Sequence, residues 1–221
     1  MEINQSALDS PDPSAIGWAD LPEIAVRLSP VPLAAQPNAY IRAAWEGRPY
    51  GMVTEVKVRA ARAADKLNVL LDWERPGAAT GEFTDSAAVF FPPPGGNEPP
   101  VTIGTHDEPV TLWLWRDLLD IQTALDPARE LLSTGPGRLR PRDRAFGASG
   151  DRSSAHGTPA SIEAASSCQG SRWRLVLQGD LDTALSAGRM GVAIWDGSND
   201  ERAGIGAVSS DWIPLESGKD M

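Results

Sequence analysis

The side chains able to do chemistry are few in this 221-residue chain, and they are scattered. There are two histidines, His106 and His156, and one cysteine, Cys168. A lone cysteine excludes an internal disulfide and any cysteine-held zinc or iron–sulfur centre within the chain. Met52 and Met190 are the internal thioethers, and both sit in strand-like apolar runs where a core-filling role is expected. Carboxylates gather at Asp196, Asp200 and Glu201, with Arg202 beside them. Their spacing lacks the bidentate twelfth-position Glu of a calcium loop, so a turn-forming, partner-facing role is expected. Asp180 and Asp182 could imitate the acid and base of a hydrolase, but no base or aromatic partner accompanies them. The sequence has no G-x-S-x-G, phosphate-binding loop, H-E-x-x-H or strand-borne G-x-G-x-x-G. By itself it shows no catalytic apparatus.

Composition narrows the partners. Thirty acidic against 20 basic residues give a formal charge of −10, and no Lys/Arg run exceeds two residues. Nucleic-acid binding needs clustered cations that release counterions, so no nucleic-acid partner is expected. No stretch approaches the roughly 18 consecutive apolar residues of a membrane span. Residues 1–20 lack the basic start and apolar run of a secretory signal. Two compartments fit: the cytoplasm, or the periplasm after folded co-export with a partner that carries the signal.

The elements that must position these residues are strands. Six prolines between Pro11 and Pro37 disfavour a long helix there, because each lacks a donor and restricts the residue before it. Residues 1–44 therefore read as an extended arm with one early strand near Glu23–Leu28. Residues 45–221 read as a single β-sandwich domain. Alternation from Val53 to Arg59 and the run Lys66–Glu74 predict a strand pair joined by 59–65. Further strands are expected at Phe83–Phe91, Val101–Gly104, Val110–Arg116, Trp173–Leu177, Arg189–Trp195 and Trp212–Leu215. Trp113 and Trp115 should share one face. The apolar run ending at Trp195 stops at Asp-Gly-Ser-Asn-Asp, a turn cluster that predicts a hairpin over Val192–Glu216. Leu118–Leu132, broken by Pro127, and Thr183–Arg189 are the helical candidates. Residues 133–171, rich in Gly, Ser, Arg and Pro, read as a long surface loop. The fold class that follows is all-β: a two-sheet antiparallel β-sandwich with one or two short helices and that loop.

Three segments carry a resemblance: Ala88-Val89-Phe90-Phe91-Pro92, then Thr102-Ile103-Gly104, then Leu112-Trp113-Leu114-Trp115-Arg116, together with the hairpin. In spacing and order they resemble the γ subunits of the ethylbenzene dehydrogenase and dimethylsulfide dehydrogenase group of molybdenum enzymes. The likeness covers roughly residues 45–216 and is weak over 119–171. It implies a sandwich that binds haem b and relays electrons, beside a molybdopterin-containing α subunit and an iron–sulfur β subunit. It also implies that Ile103 and Arg116 stand where the group has its methionine and lysine ligands. Isoleucine has no lone pair to give and arginine stays protonated, so neither can ligate iron. His106, three residues after Ile103, is the candidate replacement ligand and the one candidate metal ligand. Phe90, Phe91, Trp113 and Trp115 are candidate walls of the haem slot, or plain core. Arg116 can instead clamp a propionate or a partner's carboxylate. Two alternatives stay open: a haem-free γ-like subunit that serves as a scaffold, and a free-standing sandwich that stacks sugar rings on exposed tryptophans.

Overall fold

A computed structural model describes residues 1–5, 8, 10–36, 38–77, 83–95, 101, 110–117, 142–146, 162–202 and 204–217, with only the backbone described at 4–5, 142–146 and 217. The strands are β1 (Glu2–Gln5), β2 (Ile24–Pro30), β3 (Glu55–Ala63), β4 (Lys66–Glu74), β5 (Ser86–Phe91), β6 (Val110–Arg116), β7 (Arg142–Phe146), β8 (Glu163–Gln169), β9 (Arg172–Asp180), β10 (Arg189–Trp195), β11 (Ala207–Ser209), β12 (Ile213–Pro214) and β13 (Glu216–Ser217). Two seven-residue helices accompany them, α1 (Ala39–Trp45) and α2 (Leu181–Ala187).

The strands follow one path, β7-β6-β5-β10-β11-β2-β3-β4-β9-β8. β2 is its corner: residues 24–27 pair with β3, while residues 28–30 pair with β11. The path thus folds into two layers, β2-β3-β4-β9-β8 and β7-β6-β5-β10-β11-β2, that share β2. All pairings along the path are antiparallel. This is the all-β sandwich that the alternating sequence predicts.

The layers face each other because period-two alternation puts one apolar set on each inner face. Val56, Val58 and Ala60 of β3, Leu67, Val69, Leu71 and Trp73 of β4, and Trp173, Leu175 and Leu177 of β9 form one side. Ala87, Val89 and Phe91 of β5, Trp113 and Trp115 of β6, and Met190, Val192 and Ile194 of β10 form the other. Both outer faces are also covered. Leu8 and Trp18 close over Ala61, Leu70 and Val176 of the first layer. A second apolar cluster, including Phe90, Leu112, Trp195, Val208 and Trp212, lies on the outside of the second layer.

Turn chemistry sets the register. The β3–β4 hairpin closes in two residues, Ala63 opposite Lys66, which forces Ala64 to a φ of 52°. The 59–65 connection expected from sequence is thus mostly strand. The β8–β9 turn uses Gly170 at φ +63° for the same reason. Asp180 caps α2 by accepting from the Thr183 N–H at 2.8 Å. Gly188, in the left-handed region, ends that helix.

The first and middle parts of the chain hold more sheet than the sequence predicts. Within residues 1–44, β1 pairs in parallel with β3 and β13, in addition to the expected early strand β2. Within 133–171, read as a loop, β7 pairs with β6 and β8 pairs with β9. β8, Glu-Ala-Ala-Ser-Ser-Cys-Gln, has no large apolar side chain, so its alternation is nearly silent. It ends the strand order beside β9, where a strand need bury little. The helix expected over Leu118–Leu132 and the strand beyond Val101 lie outside the described residues.

Candidate functional site

β5 and β6 pair with Val89 opposite Trp113, Ala87 opposite Trp115 and Ser86 opposite Arg116. Trp113 and Trp115 share the inner face, as expected, and are 0% and 2% exposed. Phe90 and Phe91 are neighbours in sequence, so they project to opposite faces. Phe91 meets Trp113 edge-on at 4.7 Å between centroids in the inner core. Phe90 lies outside, edge-on to Trp212 at 5.3 Å. The four aromatic residues therefore do not wall one slot.

The inner rings close the seam between the layers. A Cβ added at Gly179 of β9 would stand 2.5 Å from the Trp113 ring, so the opposite strand rests directly on that indole. Trp115 is edge-on to Trp173 at 5.1 Å and to Trp73 at 6.4 Å, and Trp73 stacks with Trp173 at 6.1 Å. Asp85, just before β5, anchors this trio. Its carboxylate accepts from the Trp173 Nε1–H at 2.8 Å, from the Arg75 guanidinium at 2.9 Å and from the Gly197 backbone N–H at 2.9 Å.

The turn after β10 is held a second time by Glu201, only 2% exposed. Its Oε1 accepts from the backbone N–H of Gly51 at 2.7 Å and of Met52 at 3.2 Å, and from the Asn199 amide at 3.1 Å. Its Oε2 accepts from the Asp196 N–H at 3.1 Å. Burial pushes the Glu201 carboxyl above its ordinary value, and those N–H groups offset part of the rise. Arg48 pairs with Asp200 at 3.0 Å and lies over the Trp45 ring at 4.1 Å. The turn acids thus tie the hairpin to the segment after α1.

The other expected site residues fall apart in space. Ile103, His106 and His156 lie outside the described residues. Arg116 is the exposed last residue of β6. Met190 is enclosed between the layers, and Met52 is 40% exposed beside the Glu201 corner. Asp180 is a helix cap and Asp182 lies in the first turn of α2, which accounts for that acid pair structurally. Cys168 is exposed on β8. No group of three or more His, Cys, Asp or Glu side chains able to hold a metal ion occurs among the described residues.

Haem b needs an apolar slot and at least one axial donor. The described residues do not fit it. Phe90 and Phe91 lie on opposite faces, the Trp113 ring is packed on Gly179, and Arg116 offers a protonated guanidinium. Asp85, Arg75, Trp73 and Trp173, which organise the seam, carry no sequence signal. Asp85 looks like an ordinary turn acid, and its partners are 10, 88 and 112 residues away.

Fold and seam together define the class: an antiparallel β-sandwich, with no helix among the described residues long and apolar enough to cross a membrane. No family model matches the chain. It is similar to three named proteins. The ORF7 protein of Haloferax mediterranei, assigned as a respiratory nitrate reductase heme subunit, is 26% identical over 227 residues, covering 96% of this chain and 70% of the relative. The dimethylsulfide dehydrogenase subunit gamma of Rhodovulum sulfidophilum is 28% identical over 217 residues, covering 91% and 73%. The chlorate reductase subunit gamma of Ideonella dechloratans is 30% identical over 178 residues, covering 73% of this chain but only 64% of the relative. These likenesses support the resemblance read from the sequence: over most of its length the chain is similar to γ and heme subunits of that group.

Proposed function

We propose that this chain is the accessory γ-type subunit of a molybdopterin oxidoreductase complex. It sits beside an iron–sulfur β subunit, and an α subunit holds the molybdopterin and does the chemistry. The observation that carries this reading is the likeness over 91% and 96% of the chain to a dehydrogenase gamma subunit and a reductase heme subunit. The fold suits the role, because a sandwich with its faces filled offers a partner a fixed surface. The complex works in the periplasm after co-export or in the cytoplasm.

A second reading is favoured by one specific observation, the heme-subunit name of the haloarchaeal relative. In it the chain carries haem b, with His106 as the ligand, and relays electrons. The sugar-stacking alternative has lost its motive, since all eight tryptophans are buried.

The test is affinity purification of the tagged chain from its native host, followed by metal analysis. Co-elution of molybdenum and iron with two larger subunits is the expected result. A partner-free monomer would overturn the proposal.

A further inference from the structure

We infer that this chain is a haem-free member of its group, in which the protein's own rings fill both faces of the second layer. The inference rests on the γ-subunit reading above and deepens it: the subunit serves its complex as a fixed cover, not as a carrier of electrons.

The first argument is space. A porphyrin is a flat plate that needs two apolar walls held a ring's thickness apart. The inner face of β5 and β6 offers no such gap, because the Trp113 ring lies against the Gly179 backbone and Phe91 closes its edge at 4.7 Å. Next to it Trp115 is wedged against Trp73 and Trp173. The outer face is filled in the same way. The Phe90 ring takes the space that a side chain at Gly191 would need, and Trp212 abuts that ring. The Trp195 ring stands 2.6 Å from where a Cβ at Gly206 would be, and the Gln36 amide fills the space at Gly204 while donating to its carbonyl at 2.7 Å. Glycine at 191, 204 and 206 is what lets these groups settle onto the strands.

The second argument is donor chemistry. Both histidines of the chain, His106 and His156, lie outside the described residues, so the donors that can be placed are thioethers and lysines. Of the described thioethers, Met52 lies at the Glu201 corner, Met190 inside the seam, and Met1 half-buried against the edge of the inner core. The two described lysines are both on the opposite layer from β6: Lys57 is engaged with Glu23 at 3.2 Å, and Lys66 sits at the β3–β4 turn. Ile103 has no lone pair and Arg116 keeps its proton, so the two positions that the resemblance marks for iron provide no ligand. His106 would have to act without either.

The experiment uses the intact complex, purified through a tag on this chain from cells in which another b-type haem protein is fully loaded. A reduced-minus-oxidised spectrum and a pyridine haemochromogen assay are read beside the amount of this chain. The expected result is background haem with this chain present in equal amount to the molybdenum subunit. Stoichiometric b-type haem overturns the inference, and loss of that haem in His106→Ala would name the ligand responsible. If the chain elutes without larger subunits, the γ-subunit reading fails. The same two assays on the full chain titrated with hemin then decide the haem question by themselves: no b-type spectrum supports the inference, and a saturating one overturns it.

Discussion

Among the buried carboxylates that hold the turn after β10, Asp85 and Glu201 are compensated in opposite ways. Asp85, 6% exposed, faces a guanidinium, an indole N–H and a backbone N–H. Glu201, 2% exposed, is surrounded by four N–H groups without formal charge. A carboxylate with a counter-charge belongs to a pair, and removing it strands the cation. A carboxylate held by neutral dipoles can lose its charge and keep most of its geometry. The seam is therefore expected to be brittle and the corner forgiving.

The largest test of that contrast is Asp85→Ala. It leaves the Arg75 guanidinium, whose side chain is 11% exposed, with the Gly77 carbonyl but no counter-charge, and orphans the Trp173 and Gly197 N–H groups. Breaking one side of a buried pair costs about 3–5 kcal/mol. A urea midpoint close to wild type would abolish the distinction. Next comes Trp173→Phe, which keeps most of the ring packing and removes one hydrogen bond to a charged acceptor. It should cost about 1.5–3 kcal/mol in the same assay. Glu201→Gln should cost less, about 1–2 kcal/mol, because three acceptances at Oε1 survive and only the Asp196 N–H meets a donor.

The same variant sharpens the comparison through pH. Burial raises the folded Glu201 above its ordinary value of 4.5, so the native state holds that proton more tightly than the unfolded chain does. The stability this contributes is fully present below 4.5 and is lost as pH rises through the folded value. Urea midpoints of wild type should therefore fall over that window relative to Glu201→Gln, and parallel curves would refute the assignment. The smallest effect is expected at Arg48→Ala. Its pair with Asp200 is 40% and 38% exposed, and exposed pairs contribute about 0–1 kcal/mol. Thermal melting at low and high salt should barely separate it from wild type.

How much of this was legible in the sequence depends on the distance over which each feature is built. β6 and β10 were read at their observed limits, because Val-Thr-Leu-Trp-Leu-Trp-Arg and Arg-Met-Gly-Val-Ala-Ile-Trp announce buried strands within seven residues. The shared face of Trp113 and Trp115 follows from the same period, and so does the separation of Phe90 from Phe91, which places them as core on opposite faces, the plainer of the two readings open to them. β8 was missed because small residues at a sheet edge leave almost no pattern. The Asp85 knot was invisible for a different reason: tertiary packing alone brings Trp173 and Gly197 to it, from 88 and 112 residues away. Glu201 was visible as one of several turn acids, but nothing local reveals that Gly51 and Met52 point their N–H groups at it.

The corner strand β2 has a mechanical consequence. Because its first half is stitched to β3 and its second half to β11, neither layer can peel away without unzipping this one strand. Its amides should exchange with deuterium only through whole-molecule opening, while those of β8, at the end of the strand order, exchange through local fraying. A subunit built on such a hinge-free ribbon would pass a push on one layer straight to the other.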